Sequence, residues 1–265
     1  MTSTTGHLRI GGTDLEYRMS GPAPDATPTI VMLHEGLGSI GLWGDFPDRL
    51  AAATGLGIFA YSRAGYGTSS PAALPRPKTY LHTEACEVLP RVLDAIGLRE
   101  GVLVGHSDGG SIAALHAGLV RDPRIRAASL IAPHFMIEDV TVAGVAEARQ
   151  AYETGSLRQK LARWHRNVDN AFYGWNDAWL DPAFRSWDIQ AALQTVTVPL
   201  QIVQGDRDAY ATLRQLDIAR ERCTGPLDLQ VMPGIGHIPQ REAPERTTRI
   251  IVDFILASLS GADRA

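Results

Sequence analysis

The stretch GVLVGHSDGGSIAALHAGLV, residues 101–120, constrains the fold of this chain more than any other. An apolar run, Val102–Val104, breaks into Gly105, His106, Ser107, Asp108, Gly109 and Gly110, then resumes with helical spacing over Ser111–Val120. A glycine inside a helix costs about 1 kcal/mol relative to alanine. Two in succession at the head of a helix must therefore meet a geometric demand. A tight turn from a buried strand straight into a helix, the hinge of a βαβ unit, is such a demand.

The same alternation runs through most of the chain. Leu8–Ile10 and Leu15–Met19 flank Gly11-Gly12 as a hairpin would. Thr29–Leu33 and Gly57–Tyr61 read as buried strands, with a helix expected over Leu42–Ala53 between them. Tyr80–Ile96 has helical spacing and stops at Gly97, and Ile125–Ile131 is another strand. After a gap, Leu200–Gln204 and Leu227–Met232 read as strands, Thr212–Cys223 and Pro244–Leu259 as helices. Short apolar strands alternating with helices predict an α/β domain with a parallel sheet. In the gap, from Pro133 to Val198, strand-like runs vanish. Helices are expected there over Val142–Tyr152, Leu157–Val168 and Asn176–Leu193, and four of the five tryptophans (Trp164, Trp175, Trp179, Trp187) fall within it. The organisation expected is one core, residues 1–133 and 198–265, interrupted by a helical insertion at 134–197.

Composition excludes some classes of function. At 45% apolar and 20% charged, 265 residues can bury a full core. The net charge of -4 offers no broad basic field, which argues against nucleic acid or an acidic membrane surface as partner. No window reaches roughly 18 consecutive apolar residues, so no membrane span is expected. The first residues lack the basic start and apolar run of a secretory signal, and a cytoplasmic protein is the expectation. Cys86 and Cys223 show no metal-ligand spacing and read as core thiols of a reducing compartment.

Ligand sites of parallel sheets lie beyond the C-terminal ends of the strands, where Ser107 stands. Gly105-x-Ser107-x-Gly109 fits the nucleophile-elbow pattern, in which a sharp turn lifts the serine hydroxyl out of the sheet. Side chains two residues before and after would crowd that turn. The helix that follows offers free N–H groups and a partial positive charge to a developing oxyanion. A serine needs a base, and the base a carboxylate. Two carboxylates, Asp206 and Asp208, follow the strand Leu200–Gln204, and His237 lies in the loop after Leu227–Met232.

Four motifs in order, HEGLG (34–38), GHSDG (105–109), GDRD (205–208) and GH (236–237), make the chain resemble the α/β-hydrolase superfamily along essentially its whole length. The resemblance implies a mostly parallel sheet of about eight strands flanked by helices, with an inserted helical cap. It implies a serine hydrolase of carboxylic esters or thioesters, with Ser107 as nucleophile, His237 as base and Asp208 as acid. Asp206 is the competing carboxylate, and Glu138 and Asp139 stand where some members place the acid. The oxyanion donors implied are the backbone N–H groups of Asp108 and Gly36. No cofactor and no metal is implied; the expected partner is a small-molecule acyl substrate. Two alternatives use the same scaffold: a C–C bond hydrolase with the same triad, and a non-catalytic small-molecule-binding protein.

Two departures stand out. Glu35 occupies a position where relatives usually carry glycine. It is read as pointing away to serve its loop; otherwise its carboxylate sits at the pocket edge and disfavours anionic substrates. Ser62 precedes Arg63 where relatives often carry aspartate, and residues 62–70 are read as structural. His106 is expected to pack under the elbow, His34 to brace its loop, and His134 is a candidate pocket residue. His7, His82, His116 and His165 are read as surface or helix residues. Of the insertion's aromatics, among them Phe172, Tyr173 and Trp187, most are expected to hold the helical layer together. One or two, with Trp175 and Trp179 as candidates, face the cleft and favour an apolar or aromatic acyl group.

Overall fold

The computed structural model describes residues 3–260. Strand β1 (Ser3–Ile10) turns into β2 (Thr13–Ser20) through Gly11 and Gly12, whose φ values of 54° and 90° are those a two-residue hairpin turn requires. β3 (Thr29–Leu33), β4 (Gly57–Tyr61) and β5 (Gly101–His106) are buried at every residue. β6 (Ile125–Ile131), β7 (Leu200–Gly205) and β8 (Leu227–Met232) complete one eight-stranded sheet in the order β1-β2-β4-β3-β5-β6-β7-β8. The pairs β1·β2 and β2·β4 are antiparallel; all others are parallel. This is the mostly parallel, helix-flanked sheet of eight strands expected from the sequence.

Side chains alternate across the central strands and feed two cores. Val31, Leu33, Phe59 and Leu103 face one side, packed with Leu81, Leu89, Ile112 and Leu115. Ile30, Met32, Ile58 and Val102 face the other, packed with Phe46 and Leu50 of the helix Phe46–Thr54 and Ile251 and Ile255 of the helix Pro244–Ser260. Burial on both faces explains why these strands read as unbroken apolar runs.

From β3 the chain crosses to β4 on one side and returns to place β5 on the other. The C-terminal ends of β3 and β5 thus flank the point where the winding reverses, the crevice where sheets of this kind bind ligands.

The helices depart from expectation in instructive ways. The stretch expected as one helix over Leu42–Ala53 is a 3₁₀ turn, Ile40–Trp43, then Gly44 at φ 61° and a separate helix from Phe46. The helix after Ser107 begins at Asp108, not Ser111. Between β6 and β7 lie Asp139–Thr154, Leu157–Leu161, Val168–Leu180, a 3₁₀ turn Pro182–Ser186, and Gln190–Leu193. The helix expected over Leu157–Val168 stops early because His165 leaves it to accept from Gly67 N–H and reach the Leu37 carbonyl. Asn167 then caps a new helix, accepting from the Asn170 N–H. The helix expected over Asn176–Leu193 breaks at Asp181-Pro182, where proline lacks the N–H and the Asp181 carboxylate accepts from Ala183 N–H.

His165 is buried outside any helix, and His116 is a buried helix residue, one of the two readings expected, in the turn His116–Val120. The His116 ring bonds the Ala85 carbonyl at 2.8 Å between two helices. Cys86 and Cys223 are free and only half-buried, packed against the core rather than in it. Among the described residues no helix is long and apolar enough to cross a membrane.

Leu103 is fully buried in the central strand. Leu103→Ala is expected to lower the free energy of unfolding by about 2–5 kcal/mol, measured by urea denaturation, because the surrounding sheet and helices cannot collapse into the space left.

Candidate active site

Ser107 sits at φ 52° and ψ −116°, a conformation that strains a residue with a side chain. Such strain costs of order 1–3 kcal/mol and persists only where neighbours enforce it. Here the Ser107 N–H donates to the Ile131 carbonyl at 2.8 Å, and its own carbonyl accepts from Ser111 N–H at 3.0 Å. A Cβ on Gly105 would collide with the Gly109 carbonyl, and one on Gly109 with the Leu33 carbonyl. The two glycines let the new helix press its backbone onto the end of β3. Ser107 is thereby held at the head of the helix Asp108–Leu115, beside the loop that follows β3.

The carboxylate that meets His237 is Asp208. Its Oδ2 lies 2.7 Å from His237 Nδ1. A carboxylate only accepts, so Nδ1 carries the proton and Nε2 is left free to take one. Asp208 also accepts from Gln204 Nε2 at 2.7 Å and from the N–H groups of Tyr210 (2.7 Å) and Ala211 (3.2 Å). Burial alone would raise its pKa; the His237 hydrogen bond and charge, with the Tyr210 N–H, outweigh burial and hold it below the ordinary carboxylate range. Asp206 is elsewhere, accepting from Gly234 N–H. Glu138 caps the helix from Asp139 and accepts from Thr212 and Gln215, while Asp139 is exposed beside Arg185.

Ser107 and His237 line one cavity of about 160 Å³, without a hydrogen bond between them. Gly36 lines it too. A buried arginine sets the loop that carries Gly36. Arg63, 1% exposed, donates to the carbonyls of His34 (2.9 Å) and Glu35 (3.1 Å), and its backbone N–H donates to His34 Nε2. The His34 ring closes the brace from Nδ1 to the Glu35 carbonyl at 2.7 Å.

Arg63 also pairs with the Asp108 side chain at 3.3 Å, in the interior. Burial lifts the Asp108 carboxyl above its ordinary value despite Arg63 and the Tyr80 hydroxyl that donates to it at 2.8 Å. Tyr80 in turn accepts from Trp179 Nε1 at 2.8 Å. Two polar contacts in series, Trp179 to Tyr80 and Tyr80 to Asp108, thus tie the helical segment to the elbow. Arg63 and Tyr80 were missed as site-forming residues, since from the sequence they read as part of a structural turn and as the start of a helix.

His134 lines the cavity, its ring 6.0 Å from that of His237 and edge-on to Trp179. Burial, with His237 nearby, lowers its pKa to about 3, so it is neutral. His106 lies under the elbow as expected, with Nε2 2.8 Å from the His237 carbonyl. Trp175 and Trp179 face the cavity, and Trp175 lies so close over Gly36 that a Cβ there would strike its indole. Phe172 and Tyr173 pack with Tyr152, and Trp187 with Phe184.

Glu35 overturns the reading that it points away. Its backbone carbonyl is claimed by Arg63 and His34, and its side chain lines the cavity. Burial opposes its charge, but His106 and His34 beside it prevail and hold the carboxyl at about 2. Tyr210, Thr141, Val145 and Ile238 also line the cavity and were not foreseen. Tyr210 had a usable signal: two residues after Asp208, its N–H closes a turn on that carboxylate and brings its ring 4.7 Å from His237. Among the described residues no cluster of His, Cys, Asp and Glu could hold a metal ion.

Residues 30–250 match the profile of the Alpha/beta hydrolase family. No curated protein matches the sequence significantly. Solved structures share the architecture. Proline iminopeptidase of Mycobacterium smegmatis superposes with a TM-score of 0.75 at 17% identity, over 98% of this chain and 100% of that one. The enol-lactonase of Burkholderia xenovorans gives 0.74 at 19%, over 95% and 100%. A bacterial membrane phospholipase A gives 0.71 at 22%, over 99% and 87%. At such identities the likeness is one of fold.

A carboxyl held low in the folded state adds stability above its unfolded value, near pH 4, and loses it as acid titrates it through the lower folded value. Asp208→Asn is therefore expected to be less stable than the wild type by about 1–3 kcal/mol at pH 7. Urea denaturation should show the difference narrowing as the pH falls below about 4.

Proposed function

Because the chain belongs to the alpha/beta hydrolase family, we propose that it is a serine hydrolase of carboxylic esters or thioesters working through an acyl-enzyme. The observation that carries this reading is the 2.7 Å contact from Asp208 to His237 Nδ1, which leaves His237 Nε2 basic in the cavity lined by the strained Ser107.

In this reading the Ser107 Oγ attacks the carbonyl carbon as His237 Nε2 takes its proton. Asp208 keeps Nδ1 protonated and stabilises the imidazolium that forms. The negative charge gathering on the carbonyl oxygen is met by the backbone N–H groups of Gly36 and Asp108. The second belongs to the first turn of a helix, where N–H groups have no partner within the helix. The imidazolium returns the proton to the leaving group. Water, deprotonated by the same Nε2, then releases the acyl group and restores Ser107.

The helical segment, residues 134–197, serves as a cap that roofs the site and sets its size. A cavity of about 160 Å³ walled by Trp175, Trp179 and Val145 fits a short acyl or aromatic group better than a long lipid chain.

Ser107→Ala is expected to lower kcat for p-nitrophenyl acetate and butyrate by at least about 10³-fold with little change in folding. A fluorophosphonate should label Ser107 in the wild type and nothing in the variant; labelling of another serine would refute the assignment.

A further inference from the structure

Apart from its histidines and the hydroxyls of Ser107, Thr141 and Tyr210, the cavity has largely apolar walls and one carboxylate, that of Glu35. An ionised carboxylate can accept about four hydrogen bonds. Asp208 takes four from its neighbours. The Glu35 carboxylate, by contrast, has no hydrogen bond within 3.5 Å from the side chain of another described residue. Its ion-pair neighbour is His106 Nδ1 at 3.6 Å, beyond hydrogen-bond length.

The His106 ring is engaged elsewhere: Nε2 meets the His237 carbonyl, which can only accept, and Nδ1 meets Gln240 Nε2 at 3.1 Å. The other charges around the cavity are answered within the protein. Asp208 is covered by its donors, Asp108 is turned to Arg63, and His134 is neutral. Glu35 therefore sets the sign of the cavity, with His106 at 3.6 Å as its ion-pair neighbour and no side-chain hydrogen bond within 3.5 Å. Beside an apolar wall, such a group is costly unless something in the cavity pairs with it.

We propose that Glu35 selects cationic esters: the substrate carries an ammonium group, on its acyl or alcohol part, that docks on the Glu35 carboxylate while its apolar body lies against Trp175 and Trp179. A charge-assisted hydrogen bond in a confined, largely apolar site discriminates strongly against neutral isosteres, and an anion there meets repulsion. The faces of the surrounding aromatics also favour a cation. The identity of the substrate as an ester rests on the serine-hydrolase reading; the docking of the cation does not.

The test separates the two. Ser107→Ala protein is titrated with benzylammonium, benzyl alcohol and benzoate, followed by tryptophan fluorescence. Benzylammonium should bind about ten-fold or more tightly than the alcohol, and benzoate most weakly. Adding Glu35→Gln should bring the first two within about three-fold of each other. Equal affinity for ammonium and alcohol, or a preference that survives Glu35→Gln, overturns the proposal. The first comparison needs no change at position 35, so it decides even if that variant fails to fold. With Ser107 intact, p-nitrophenyl 6-aminohexanoate should exceed p-nitrophenyl hexanoate in kcat/KM by about ten-fold. An ammonium preference in binding without turnover of either ester counts against the hydrolase reading and still supports the role of Glu35.

Discussion

The structure of the site depends on one close approach of backbone to backbone. The helix that follows Ser107 starts against the carbonyl end of β3, and Gly109 is the residue that permits it. With any side chain there, the helix would be held off, and Ser107 with it. Gly105 makes the matching concession on the strand side. The positive φ of Ser107 is the result: its carbonyl and N–H are both held, so the strain cannot relax. The loop carrying Gly36 leaves from that same end of β3. One steric constraint thus brings nucleophile and loop together.

Beneath the elbow lies a polar layer that a packed core would ordinarily avoid. The Arg63 guanidinium is buried with the Asp108 carboxylate, and isolating either charge there would cost several kcal/mol. Both have further partners: Arg63 donates to the backbone carbonyls of His34 and Glu35, and Asp108 accepts from the Tyr80 hydroxyl. The arrangement holds two segments distant in sequence, 34–36 and 107–108, against a third, the turn at 63. It also passes through Tyr80 to Trp179, so the helical segment over the cavity is tied to the elbow by directed contacts.

How much of this could be read beforehand follows the range of the forces involved. The hairpin at Gly11-Gly12, the buried strands and the strand–turn–helix at Ser107 were legible, because local sterics and alternating burial leave their mark residue by residue. The helices between β6 and β7 were legible only as helical. Their limits were misjudged because His165 is drawn out of its helix by Gly67 and Leu37, residues 98 and 128 positions away. His116 is likewise buried by a partner, Ala85, that no periodicity announces.

For the site, sequence alone nominated Ser107, Asp208 and His237 from their places after three strands, and singled out Glu35 as unusual. It left Asp206 and Asp208 as rivals and turned Glu35 the wrong way. Both questions were decided by tertiary contacts: His237 lies against Asp208 while Asp206 answers Gly234, and Arg63 holds the Glu35 carbonyl while the Glu35 side chain meets the cavity. The order of strands and turns follows from short-range sterics and apolar pattern, which a chain carries along its length. Which of two nearby carboxylates meets an imidazole depends on hydrogen bonds a few ångströms long between distant segments, and only the folded chain brings those within reach.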